Sequence, residues 1–155
     1  MSVSARKRRV ARIIALQALY ELDCTNHALE DVLSAHLETL AERGTVNPDV
    51  RRYIYQLVRG VRETRARLDS VIGQFAPEFP LEQMAPIDRN LLRIALYEFA
   101  ISRKTPAKVA ISEAIDLAKL FGAENTARFV NGVLGTLAAR KVELRALLDN
   151  EATSA

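Results

Sequence analysis

The sequence predicts an all-α fold of two packed three-helix bundles around a central buried helix at about 86–102. Three observations predict it. Apolar residues recur at threes and fours instead of alternating. Proline and capping residues stand between those runs. And 155 residues that are 49% hydrophobic and 26% charged are enough to fill one compact core.

The first helix runs from about Ser4 to Asp23, and a shorter amphipathic one carries Leu29, Val32, Leu33, Leu37 and Leu40. The third is the longest: Val50, Ile54, Leu57, Val61, Thr64, Leu68, Val71 and Phe75 alternate steps of four and three, one apolar stripe over roughly seven turns. Asn47-Pro48 starts it with a capping side chain and a proline whose missing N–H is harmless in the first turn, and Pro77 stops it. Pro86 opens the fourth helix, whose residues Leu91, Leu92, Ile94, Ala95, Leu96, Tyr97, Phe99 and Ile101 are apolar nearly all round. Such a helix is covered on several sides. Thr105-Pro106 opens a fifth that Gly122 closes, and Asn125 is placed to cap a sixth running to about Leu147. The stretch 76–85, with prolines at 77 and 80, is the expected seam between an N-terminal subdomain, 1–78, and a C-terminal one, 79–155.

Charge narrows the function. The net charge is only +3, yet Arg6, Lys7, Arg8, Arg9 and Arg12 place five cations within seven residues, and no acid precedes Glu21. The remainder holds 17 cations against 19 acids. A polyanionic partner fits that asymmetry. Catalytic and cofactor motifs are missing: the glycines match neither the P-loop nor the dinucleotide spacing, and neither His27 nor His36 has a carboxylate at metal-ligand spacing. The two histidines read as surface residues without a role, and the lone Cys24 as a partly buried, inert thiol. Neither a cofactor nor a metal is expected. No apolar run approaches the 18 or so residues of a membrane span, so a cytoplasmic location without membrane attachment is expected.

On a helix, Arg8, Arg9 and Arg12 fall within one arc of about 100°, Arg6 and Lys7 extend the positive surface, and the helix start adds its own positive dipole end. Guanidinium groups hold phosphate bidentately or stack on unpaired bases, which suits RNA. Gln17 and Tyr20 continue along the same helix; from spacing alone Tyr20 is also a core residue beside Leu16 and Leu19. A second basic set, Arg51, Arg52, Arg59, Arg62, Arg65 and Arg67, is interspersed with Asp49, Glu63 and Asp69. It reads as a solvated face with pairs such as Glu63 to Arg67. Gly132 and Gly135 inside the last helix point to close helix approach, with Asn131 bonding the neighbouring backbone. Phe129 is either a core anchor or an exposed ring.

Four segments, in order, resemble the NusB family of bacterial transcription antitermination factors: Ala5-Arg-Lys-Arg-Arg-Val-Ala-Arg12 followed by Ala15-Leu-Gln-Ala-Leu-Tyr20; Ile87-Asp-Arg-Asn-Leu-Leu-Arg-Ile-Ala-Leu-Tyr-Glu98; Pro106-Ala-Lys-Val-Ala-Ile-Ser-Glu-Ala114; and Ala118-Lys-Leu-Phe-Gly-Ala123 leading to Arg128-Phe-Val-Asn-Gly-Val-Leu134. The resemblance implies a non-catalytic protein of two three-helix subdomains. It implies binding of boxA-type single-stranded RNA in ribosomal RNA operon transcripts, together with a small-subunit ribosomal protein, NusE, and the transcription elongation complex. It places the arginine-rich start and Tyr20 against RNA, adds Asn125 to Phe129 as the other edge, and puts Asp88 near the protein partner. Many relatives carry aspartate where this chain has Asn125, and often asparagine where it has Ser112; losing an acid at an RNA edge favours unaided RNA binding. The alternatives are the RNA-targeting domain found in ribosomal RNA cytosine methyltransferases, for whose catalytic domain 155 residues leave no room, and a non-catalytic helical interaction module. The sequence leaves open whether the apolar surface around Tyr97, Phe99 and the first helix serves a homodimer or is interior.

Overall fold

A computed structural model describes residues 4–154, with side chains through Asn150. Among the described residues there are helices and no strands: α1 (Ala5–Cys24), α2 (Leu29–Ala41), α3 (Pro48–Phe75), α4 (Pro86–Leu96), α5 (Ala107–Phe121), α6 (Thr126–Ala139) and α7 (Lys141–Ser154). A short 3-10 turn, Leu81–Gln83, precedes α4, and a π turn, Tyr97–Ile101, follows it. The all-α expectation holds.

Two compact units divide between Arg62 and Glu63, inside α3. The expected seam at 76–85 therefore lies within the second unit. The reason is chemical: the C-terminal half of α3 is tied to α4 by Asp69, which accepts from Arg93 Nε at 2.8 Å, and to α7 by Arg67, which donates to the Leu148 carbonyl at 3.2 Å. Arg67 makes that contact in place of the expected pair with Glu63.

In the first unit α1 packs against α2, with Ala11, Ala15, Leu16, Ala18, Leu19 and Leu22 buried along one side of α1. The Asn47 side chain accepts from the Asp49 N–H at 2.8 Å, which starts α3 as its sequence predicts. Every stripe residue from Val50 to Val71 is buried.

In the second unit α4 packs against α5 and α6, and every residue from Asn90 to Leu96 is buried. Phe99, just beyond, is 0% exposed, so that ring is interior. The π turn closes with the Ser102 N–H on the Tyr97 carbonyl at 2.9 Å. Such a turn leaves carbonyls without their usual helical partner. Arg145 of α7 donates to the Phe99 carbonyl from Nε at 3.1 Å, and Arg103, itself left-handed at φ 59°, donates to Ala100 O at 3.1 Å. Arg103 also donates from one terminal nitrogen to both carboxylate oxygens of Asp149 of α7, at 2.8 and 2.9 Å.

The last helix breaks where the sequence predicts continuity. Arg140, at φ −116° and ψ 30°, ends α6, its guanidinium 4.6 Å over the Phe75 ring and paired with Glu143. The new direction lets α7 bury Leu144 and Leu148 against its own unit. Among the described residues seven α-helices therefore replace the expected six. The close approach expected at Gly132 and Gly135 is not found either: a Cβ at each would meet nothing within 4 Å, and Asn131 is exposed. Nothing in the structure explains these glycines. At Gly122, by contrast, close packing does require a glycine, since a Cβ there would lie 2.5 Å from the Thr126 side chain.

Candidate nucleic-acid interface

The first share of the site is the start of α1. The Ser4 hydroxyl accepts from the Lys7 N–H at 3.3 Å, so the helix begins just before the basic run. Arg6, Lys7 and Arg9 are exposed, Arg8 is half-exposed, and the first turn contains no acid. Arg12 is a correction. It is 3% exposed, donates to the Tyr53 hydroxyl at 3.1 Å and lies 5.7 Å over that ring's centroid. Its position one and two turns before Leu16 and Leu19 puts it on the buried side, where a ring and a hydroxyl replace solvent.

Gln17 is exposed, and Tyr20 is 42% exposed, so its ring is a surface feature and not the core residue that spacing alone allowed. Arg9 and Tyr20 stand at nearly the same azimuth about 16 Å apart along the axis. The second basic set is engaged locally: Arg52 pairs with Asp49 at 2.9 Å, and Arg59 pairs with Glu30 at 2.6 Å while lying 4.6 Å over the Tyr55 ring.

The second unit carries the other residues. Asn125 is exposed at the head of α6 but makes no side-chain cap, contrary to expectation. Thr126 takes over: its hydroxyl accepts from the Ala123 N–H at 3.0 Å and donates to Asp88 Oδ1 at 3.0 Å. One oxygen of Asp88 is thus spent within the unit. Phe129 is half-buried with its ring edge-on to Phe79, centroids 5.2 Å apart, so it is anchored and still partly open. Asp88 and Phe129 line one cavity of about 260 Å³ with Glu78, Phe79 and Met84. Sequence reasoning treated Phe79 as linker; the signal it missed was a phenylalanine between two prolines, a poor residue for solvent.

Two further expectations change. His27 Nδ1 and His36 Nε2 both bond the Glu21 carboxylate, at 2.7 and 3.0 Å, so they join the end of α1 to the following loop and to α2. The hydrogen bond from His27 lowers the Glu21 pKa from its ordinary value; His36 helps, and partial burial opposes. Cys24 is exposed, not partly buried. Among the described residues no group of three or more His, Cys, Asp or Glu is arranged to hold a metal ion, and no helix is long and apolar enough to cross a membrane.

The first unit thus offers clustered cations, an amide and an exposed ring that can neutralise phosphates and stack a base, and the second unit offers a partly open ring of its own. The model of the NusB family matches residues 9–139. The transcription antitermination protein NusB of Roseiflexus sp. (strain RS-1) is 46% identical over 143 residues, 91% of this chain and 98% of that protein. That of Dehalococcoides mccartyi (strain CBDB1) is 45% identical over 133 residues, covering 84% and 88%. Among solved structures, T. maritima NusB superposes with a TM-score of 0.75 at 30% identity, covering 90% of this chain and 93% of that one. A crystal structure of antitermination factors NusB and NusE in complex with dsRNA gives a TM-score of 0.76 at 24% identity, covering 88% and 98%.

Proposed function

The chain belongs to the NusB family of transcription antitermination factors, and from that premise we propose that it binds boxA-type single-stranded RNA of ribosomal RNA operon transcripts together with NusE, acting on the elongation complex. The family is non-catalytic, so the mechanism is recognition. The observation that carries the RNA reading is the acid-free run Arg6–Arg9, exposed but for the half-buried Arg8, at the capped start of α1. Those four cations neutralise phosphates. Tyr20 and Phe129 stack on unpaired bases, each stack worth roughly 1 to 3 kcal/mol. Gln17 and Asn125 bond base edges, and Arg12 positions α1 by holding Tyr53 instead of touching RNA. Asp88 lies at the protein-partner surface. NusE enters because a protein of this fold has been crystallised with it.

The test is binding of a labelled boxA-type strand and a scrambled strand, each with and without NusE. The expected result is preference for the cognate strand, strengthened by NusE. Equal affinity for both strands under both conditions would refute the reading.

A further inference from the structure

Beside the basic run, within the first unit, lies a cavity of about 210 Å³ lined by Lys7 and Val10 of α1, Leu40 of α2, Arg43 and Gly44 of the turn after α2, and Val46 and Val50 at the start of α3. Two features set it apart. Its floor is aliphatic, and Val10 stays 37% exposed in the middle of a cationic surface. Its rim carries two cations from different elements and no acid, whereas the cavity beside Phe129 includes Glu78 and Asp88 and another in the second unit includes Asp69 and Glu82.

An apolar floor under an uncompensated pair of cations suits a ligand with one flat uncharged face and one anionic edge. A nucleotide is such a ligand. At roughly 30 Å³ per water the space equals about seven waters, room enough for one pyrimidine base. Lys7 belongs both to this rim and to the run that is proposed to hold phosphates, so a strand lying on that run reaches the cavity without leaving positive surface. Gly44, at φ 140°, forms the turn that carries Arg43 to the rim.

We infer that this cavity receives a nucleotide flanking the recognised element, its base against Val10, Leu40 and Val46 and its phosphate between Lys7 and Arg43. The inference rests on the RNA-binding reading above. It makes Arg43 an RNA contact on a different element from the basic run. It also extends the footprint beyond the element itself.

Two labelled strands test it by fluorescence anisotropy: a boxA-type element alone, and the same element extended on both sides by uridines. With the unmodified protein the extended strand binds more tightly. Arg43→Ala lowers affinity for the extended strand by about three- to tenfold, leaves the short strand unchanged, and reduces the salt slope for the extended strand by about 0.7, one single-strand contact. Arg43→Lys restores most of that slope. Arg43 is exposed, and thermal melts of both variants verify that the fold is unaltered. Unchanged binding of the extended strand by Arg43→Ala would overturn the pocket while leaving the proposed function intact; absence of binding to either strand by unmodified protein would overturn both. Arg43-dependent binding to vesicles of anionic phospholipid, with no effect on RNA, would assign the cavity to lipid and refute the inference.

Discussion

Arginine serves opposite ends at the start of α1 and in the second unit. At the start of α1, Arg6, Arg8 and Arg9 crowd with Lys7 where the first turn offers no acid. In the second unit Arg93 is 6% exposed and grips Asp69 with Nε and a terminal nitrogen, Arg145 holds the Phe99 carbonyl, Arg103 holds Ala100 and Asp149, and Arg89 donates to the Met84 carbonyl at 3.2 Å. Each of these four finds an acceptor on its own unit, and three of them complete irregular backbone around α4. The difference teaches that arginine content does not mark a binding surface; what separates the two uses is burial, since the cations at the start of α1 face solvent while Arg93 lies inside its unit.

The contrast can be broken by exchange of effects, the largest first. Arg93→Ala leaves the half-buried Asp69 carboxylate without its partner and is expected to destabilise the protein by about 2 to 3 kcal/mol in urea unfolding, the range for hydrogen bonds to a charged group, with unchanged RNA affinity for the folded fraction. Arg145→Ala leaves the Phe99 carbonyl unsatisfied, an expected loss of about 1 to 3 kcal/mol by the same assay. Arg8→Ala combined with Arg9→Ala reverses the pattern: stability within about 0.5 kcal/mol of the parent, and affinity for every RNA reduced about tenfold. If this double variant unfolded the protein and kept its RNA affinity, the distinction between the two classes of arginine would disappear.

Smaller effects sharpen it. Asn125→Asp restores an acid near the proposed RNA edge and is expected to weaken RNA binding without NusE about two- to fivefold, as a surface charge would; equal affinities would show that Asn125 lies away from phosphate. Glu21 is the first acid in the chain and is already occupied by two histidines. Because its pKa is lowered on folding, its contribution is fully present above the ordinary value of 4.5 and is lost as pH falls through the lowered one. Glu21→Gln should therefore flatten the acid side of the stability profile below about pH 4.5, and an unaltered profile would contradict that role.

Much of the fold was legible because period and punctuation agree. Ser4, Asn47, Pro77 and Gly122 sit where α1, α3 and α5 begin or end, and the stripe from Val50 to Val71 is buried throughout. The break at Arg140 and the π turn at 97–101 were not legible, because both depend on contacts between α7 and residues more than forty positions away. Arg12 was misread for a different reason. Charge counting put it with its neighbours, while the apolar spacing to Leu16 and Leu19 already put it inside. The histidines illustrate the limit of spacing: His27 and His36 reach the same Glu21 carboxylate only because a turn folds α2 back beside the end of α1.

The most direct test of the account is the salt dependence of binding to a single-stranded boxA-type RNA. Four phosphates held by Arg6, Lys7, Arg8 and Arg9 predict that log affinity falls against log salt with a slope of about −3, and that the Arg8→Ala plus Arg9→Ala variant brings this to about −1.5. A slope near zero in the unmodified protein, or one that the double variant leaves unchanged, would contradict it.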